Sequence, residues 1–253
     1  MDIRFDDQSV LITGGSTGIG AATAVEFARA GASVVVNYLS SEKAAGEVVK
    51  TIKEEGGRAF AVKADVSKKE EVDRLIQETL DNLGKIDILV NNAGGLIKRC
   101  LLADMTEAVW DEVLDINLRS VYLCTQAVLP HIKKSKRGRI INLSSIAART
   151  GGGPGAGFYA ATKAAISALT KNFAKELISH GITVNGVAPG IITTPFHDKY
   201  TPQDVRQNFL KAIPSNREGT AEEIAYAILF LASEYAEYIV GETIEINGGM
   251  LMD

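Results

Sequence analysis

The sequence predicts an α/β fold, a single doubly wound Rossmann domain of about seven parallel strands with helices on both faces. Three observations predict it. Short β-branched runs alternate with longer stretches of helical period through most of the 253 residues. No Pro- or Ser-rich linker and no repeat divides the chain, so residues 1–253 read as one domain. A glycine-rich turn, Thr13 to Gly20, follows the first apolar run and precedes the first helical pattern.

The elements follow in order. The run Ser9-Val10-Leu11-Ile12-Thr13 is the first strand, and the spacing predicts a helix over 18–30. A second strand over 32–38, a helix to residue 55 and a third strand over 58–65 come next. Over 68–83, Val72, Leu75, Ile76, Thr79, Leu80 and Leu83 recur at helical spacing, and Ser67 with Glu70 makes a capping-box pattern. The fourth strand is Ile86-Asp87-Ile88-Leu89-Val90-Asn91-Asn92. Helices over 107–117 and 119–136, a strand over 139–145, a helix over 157–179 and a strand over 182–188 complete the alternation. Thr220 and Glu223 cap a helix running through Leu231, and residues 242–248 supply the last strand. Between the strand over 182–188 and that helix, 191–217 is too long for an ordinary connection. It carries Phe196, His197, Tyr200 and Phe209, which suits a substrate lid, with a short helix near 203–212.

Composition narrows the function. A net charge of −4 without a broad basic field argues against a nucleic-acid partner. The N-terminus is acidic, and no stretch approaches the roughly 18 apolar residues that cross a bilayer, so a cytoplasmic protein without a membrane partner is expected. Cys100 and Cys124 lack metal-ligand spacing and sit in apolar surroundings, which predicts buried free thiols. With three scattered histidines, no metal site is expected.

Gly14, Gly18 and Gly20, with Ser16, Thr17 and Ile19 between them, form the turn from the first strand into its helix. Backbone without side chains bends sharply there, exposes amides to a pyrophosphate and brings a helix N-terminus to that charge. Tyr159 and Lys163 are four apart and share one helix face. A free tyrosine titrates near 10, and a nearby ammonium favours the phenolate, so Lys163 is the candidate that lowers Tyr159.

The pattern Thr-Gly-x-x-x-Gly-x-Gly over 13–20, Asn91-Asn92-Ala93-Gly94 and Tyr159-x-x-x-Lys163 together resemble the short-chain dehydrogenase/reductase family, in order and over nearly the whole chain. The resemblance implies NAD or NADP with its pyrophosphate on the glycine turn. It also implies that Asn91, Ala93 and Gly94 line the adenosine and nicotinamide ribose, and that Asp65 and Val66 border the adenine. Pro189, Gly190, Ile192 and Thr194 would lie against the nicotinamide carboxamide. Ser145 is implied to bond the substrate oxygen, although the glycine-rich segment before Tyr159 is longer than in many relatives and leaves Ser144 as an alternative. Asn117 reads from the residues alone as a helix-breaking polar residue. The resemblance instead makes it the fourth catalytic residue, on an interrupted helix, holding a water that links Lys163 to solvent. The implied reaction moves a hydride between nicotinamide and a carbonyl or secondary alcohol, with Tyr159 moving the proton and Lys163 also bonding the ribose.

Nucleotide choice is read at the end of the second strand, Asn37-Tyr38-Leu39-Ser40-Ser41, where an acid would bond a ribose 2′-hydroxyl. No acid stands there, and Thr17 and Leu39 occupy places where a base often holds the 2′-phosphate. Ser40 or Ser41 begins a helix with Lys43 one turn on, so NADP is favoured and NAD is the alternative.

The expected substrate is a small carbonyl or alcohol. The chain looks like the 3-oxoacyl carrier-protein reductases of the family, while sugar and polyol dehydrogenases share its motifs. The basic run Lys133, Lys134, Lys136, Arg137 and Arg139 reads as a complement to a helix dipole or as a dock for an acidic acyl carrier protein. Lys98, Arg99 and Arg149 read as a solvated rim or as an attractor for an anionic substrate. A methyltransferase also uses a glycine turn but has no use for Tyr159 and Lys163. A non-catalytic cofactor sensor would be expected to lack part of the group Asn117, Ser145, Tyr159 and Lys163. The resemblance further implies a homotetramer, formed through the helices over 107–136 and 157–179 with the apolar segment 248–252 near another contact.

Overall fold

The computed structural model describes residues 2–135, 137–200, 206 and 210–252. Phe209 and most of the helix expected near 203–212 lie outside them, as does the side chain of His197. Seven strands, β1 (Ser9–Ile12), β2 (Ser33–Tyr38), β3 (Arg58–Lys63), β4 (Ile88–Asn91), β5 (Arg139–Leu143), β6 (Thr183–Pro189) and β7 (Thr243–Ile246), form one sheet in the order β3-β2-β1-β4-β5-β6-β7. Every pairing is parallel. The crossovers are α1 (Gly18–Arg29), α2 (Glu42–Glu54), α3 (Lys69–Leu83), α4 (Glu107–Leu114), α5 (Ser120–Ile132), the short α6 (Ala147–Thr150) and α7 (Gly157–Leu177). A further helix α8 (Pro195–Tyr200) and the C-terminal helix Ala221–Ala232 follow β6. Among the described residues no helix is long and apolar enough to cross a membrane.

Strand alternation sorts the core into two layers. Val10, Ile12, Val34, Val36, Ile88 and Val90 face one way, packing with Phe27 of α1, Ile52 of α2 and Ile224 and Ile228 of the C-terminal helix. Leu11, Val35, Leu89 and Ile140 face the other way, against Leu75 of α3, Val128 and Ile132 of α5 and Leu177 of α7. A sheet buried on both faces needs apolar residues at consecutive positions, which is why the strands read as unbroken apolar runs. Cys100 and Cys124 are buried free thiols, and burial pushes Cys124 up to about 12. The strand order reverses between β1 and β4, so their carboxyl ends open a crevice where the glycine turn and Asn91-Asn92 meet.

Two local expectations change. The capping box expected from Ser67 and Glu70 does not form: the cap of α3 is Lys68, without a side-chain bond. Asp65 organises that entry instead. Its Oδ1 accepts from Ser67 N at 3.0 Å and Ser67 Oγ at 2.6 Å, while Glu71 accepts from Asp65 N at 2.8 Å. The helices expected over 107–117 and 119–136 run on as one, α4 into α5, through a π-helical turn over Asp115–Arg119. Thr220 and Glu223 do form the expected capping box.

Candidate active site

Side chains from three strands build the glycine turn. Thr13 Oγ1 accepts from Asn92 N and Ala93 N, each at 3.0 Å, and Asn92 Nδ2 donates to Thr13 O and Gly14 O, both at 2.9 Å. From β2, Asn37 Oδ1 accepts from Gly14 N at 3.1 Å while its Nδ2 donates to Ala64 O at 3.0 Å. The turn is held from both sides, and it is tight: a Cβ on Gly20 would collide with Gly14 O and stand 2.5 Å from Asn92 Nδ2. Thr17 caps α1 without a side-chain bond, and no acid occupies the first turn. The amides and the positive end of the helix dipole therefore face the crevice uncompensated by side chains, which suits a dinucleotide pyrophosphate. Gly18, at φ +54°, brings the segment after β6 against the turn, since a Cβ there would lie 3.3 Å from Thr194 Cγ2.

The reactive group gathers where β5 meets α7. Ser144 and Ser145 point differently, and this resolves which serine faces the site. Ser144 Oγ is buried against α7, donating to Lys163 O at 3.0 Å and lying 2.8 Å from Ser167 Oγ. Ser145 hydrogen-bonds the Tyr159 hydroxyl and accepts from Ala147 N at 3.1 Å. One turn along α7, Lys163 donates to Leu143 O at 2.7 Å, and its Nζ lies 5.7 Å from the centre of the Tyr159 ring. Burial pushes Tyr159 up to about 12, and the smaller downward pull comes from Ser145. The lowering of Tyr159 by Lys163 that the spacing predicts is therefore not what this arrangement shows. Lys163 itself is lowered to about 8 by burial. A tyrosine held protonated at neutral pH is already in the form that donates a proton.

Asn117 sits on the π-helical turn, fully buried. Its Nδ2 donates to Gly95 O at 2.8 Å and Val113 O at 2.9 Å, and its Oδ1 accepts from Gly95 N at 3.0 Å. The extra residue in that helical turn lets one side chain clamp the loop after β4. A Cβ on Gly94 would stand 2.6 Å from Asn117 Oδ1 and 3.3 Å from Lys163 Nζ, so Asn117, Lys163 and the Gly94 backbone share one spot beside Tyr159.

Several residues expected at the nucleotide turn their side chains elsewhere. Asn37 is 2% exposed, and its amide is occupied by the glycine turn and Ala64. Tyr38, Val66 and Ile192 are buried in the core layers. Asn91 crosses to Thr125 Oγ1 at 3.1 Å and Asn142 Oδ1 at 2.9 Å, and its buried Oδ1 has no hydrogen-bond partner. The side-chain amides of Asn37 and Asn91 are thus committed to neighbouring segments of the chain. Asp65 Oδ1 is taken by Ser67, as described above. Gly190 packs directly on Asn247, 2.7 Å from a built Cβ to Asn247 Cα, and Pro189 O accepts from Ile146 N at 2.9 Å. Leu39, Ser40, Ser41 and Lys43 are exposed at the end of β2 and the start of α2.

Of the basic residues, Arg137 pairs with Glu234 at 2.9 Å and Arg139 is buried beside Glu237 at 3.4 Å. Lys133, Lys134 and Arg137 precede β5 and Arg139 opens it, at the amino-terminal end of that strand, away from the carboxyl ends that form the crevice; Lys136 lies outside the described residues. Arg99 is half-buried, and its guanidinium donates to Tyr200 O at 2.8 Å and Pro154 O at 3.0 Å. From α8, Phe196 places its ring centre 5.9 Å from that of Tyr159 and 5.2 Å from that of Tyr200, so the start of the expected lid covers the site. One position was missed by sequence reasoning: Asn92, in plain view within Asn91-Asn92-Ala93-Gly94, clamps the turn. Arg99, singled out as a base near the pocket, ties loops together.

Comparison with known proteins agrees with this geometry. The family model described as enoyl-(acyl carrier protein) reductase matches residues 14–251. The 3-oxoacyl-(acyl-carrier-protein) reductase FabG of Staphylococcus epidermidis is 45% identical over 246 residues, covering 97% of this chain and 100% of that protein. A solved 7α-hydroxysteroid dehydrogenase complexed with NADH and 7-oxo-glycochenodeoxycholic acid superposes at TM-score 0.93 with 36% identity, covering 100% of this chain and 97% of that one. A short-chain dehydrogenase from Burkholderia cenocepacia in complex with NADP superposes at 0.91 with 33% identity, covering 98% and 99%.

Proposed function

The chain belongs to the short-chain dehydrogenase/reductase family, and on that premise we propose that it is an NADPH-dependent reductase of 3-oxoacyl thioesters, carried by acyl carrier protein or a related thiol. The observation that carries the reading is Tyr159, its hydroxyl bonded to Ser145 and Lys163 one turn along α7, in a chain whose α1 N-terminus is uncompensated by side chains. Nicotinamide supplies or accepts the hydride when bound. The chain's own residues do the rest. Ser145 and Tyr159 take up the negative charge that grows on the carbonyl oxygen, and Tyr159 donates its proton there. Lys163, protonated below about 8, stabilises the phenolate that results, and Asn117 keeps the loop carrying Gly94 and Gly95 in place beside it.

The NADPH preference rests on the open start of α2. Ser41 caps it without a side-chain bond and Ser40 is exposed beside it, so hydroxyls and first-turn amides are available to a 2′-phosphate, with Lys43 nearby and Glu42 and Glu47 opposing. The proposed assembly is a homotetramer through α4, α5 and α7, where Trp110 and Tyr122 stay exposed and Trp110 packs edge-on to Phe158 at 4.8 Å. Light scattering returning a monomer would contradict it. The activity is tested by following NADPH and NADH loss in parallel with a short 3-oxoacyl thioester. Fast loss with NADPH supports the reading, and loss with neither nucleotide refutes it.

A further inference from the structure

The loop after β4 carries a strained residue that the reaction itself does not explain. Ile97 has φ +62°, and Lys98 N donates to Leu96 O at 2.7 Å, which closes a three-residue γ-turn on a β-branched side chain. That conformation is costly and persists only where its surroundings impose it. Here they do. Upstream, Gly95 is clamped by Asn117 through both its N–H and its carbonyl. Downstream, Cys100 N donates to Gly155 O at 3.0 Å, and Leu96 and Cys100 on either side of the turn are buried. The consequence of the turn is where it puts Arg99.

Arg99 reaches two other loops at once. Its Nη1 donates to Pro154 O, in the glycine-rich segment after β5, and its Nε donates to Tyr200 O at the end of α8, after β6. Together with Cys100 N on Gly155 O, consecutive residues of one loop bind consecutive carbonyls of the next. A planar fork of fixed geometry suits two carbonyls in different directions, which a single ammonium does not. Tyr200 in turn packs on Phe196, and Phe196 stands over Tyr159.

We propose that Arg99 is a positioning and specificity-determining residue: it bolts α8 to the loop after β5 and so fixes Phe196 as the wall beside the Tyr159 hydroxyl. A wall fixed there favours a short acyl chain that packs against it over a long one that must push α8 aside. The preference for chain length rests on the proposed reductase activity, whereas the clamp does not.

The test compares wild type with Arg99→Gln and Arg99→Lys in steady-state reduction of short and long 3-oxoacyl thioesters, together with hydrogen exchange of the backbone over 195–200 in the absence of substrate. In Arg99→Gln, KM for the short substrate should rise about tenfold while kcat stays within about threefold, because no group that touches the reacting atoms is altered. The ratio of kcat/KM between short and long chains should fall, and exchange over 195–200 should speed up. Arg99→Lys should behave like Arg99→Gln. Restoration of wild-type KM by lysine would overturn the clamp and show a point charge for the substrate instead. A kcat that falls with KM unchanged, or exchange that does not change, would also overturn it. If the wild type reduces no 3-oxoacyl thioester, the proposed activity fails, and the exchange measurement still decides the clamp.

Discussion

Replacing Gly20 by alanine isolates what the glycine turn does. A Cβ at that position would collide with Gly14 O, stand 2.5 Å from Asn92 Nδ2 and 2.9 Å from Gly15 Cα. Two of those three atoms are backbone of the turn, so the clash is relieved only by opening it. Overpacking of this kind costs about 1–3 kcal/mol. Displacing Asn92 from Gly14 O removes a hydrogen bond with a net worth of about 1 kcal/mol. Alanine in place of glycine inside a helix returns about 1 kcal/mol, leaving a net loss of about 2 kcal/mol. For a chain of this size that lowers Tm by about 4–8 °C. The control is Gly46→Ala on α2, where nothing lies within 4 Å of the new methyl. There only the helix gain remains, and Tm should rise by about 2–4 °C. Thermal unfolding of both variants, with NADPH affinity from fluorescence titration, is the assay. Affinity should fall at least about tenfold in Gly20→Ala and stay unchanged in Gly46→Ala. A Gly20→Ala protein as stable as wild type, with wild-type affinity, would refute the geometry of the turn.

Other expectations follow from the same coordinates. Lys163 is lowered from 10.5 to about 8, so between those values the unfolded chain binds more protons and stability rises with pH. The charged form costs about 3 kcal/mol at neutral pH. Lys163→Met removes that cost, so its stability relative to wild type should decline by about that amount as pH rises toward 10. Tyr159, raised to about 12, adds an opposite slope only above its ordinary value, where the folded state retains the proton longer. Urea unfolding across the pH range measures this, and a difference independent of pH would be the contrary result. Asn37→Ala should lose about 2 kcal/mol with no nucleotide present, because it strips partners from Gly14 N and Ala64 O. A loss seen only when nucleotide is bound would mark Asn37 as a ligand instead.

Much of the fold was legible because its signals are local. A sheet buried on both faces writes itself as apolar strands such as Val34-Val35-Val36, and the period of 72, 75, 76 and 79 marks the buried face of α3. That Tyr159 and Lys163 stand together was legible because four residues on a helix make one face. What stayed hidden depends on contacts between distant segments. Asn37 and Asn91 look like ligands at strand ends, yet pairing of neighbouring strands turns their amides inward, one to the glycine turn and the other to Thr125 and Asn142. The entry to α3 is organised by Asp65 because Ser67 has a nearer carboxylate than the start of the helix offers. The upward shift of Tyr159 comes from burial in the folded chain, where the Phe196 ring stands 5.9 Å from its own, which spacing along α7 does not encode. Arg99 reads as one more surface base until the loops after β5 and β6 are seen on either side of it.

The most direct test of the account is Tyr159→Phe, which removes the hydroxyl bonded to Ser145 and leaves the ring that Phe196 packs against. Turnover and NADPH binding are measured on the same preparation. The account predicts a fall in kcat of at least about a thousandfold with the nucleotide dissociation constant within about twofold of wild type. Turnover within about tenfold of wild type would show that another group moves the proton and would contradict the assignment of this site.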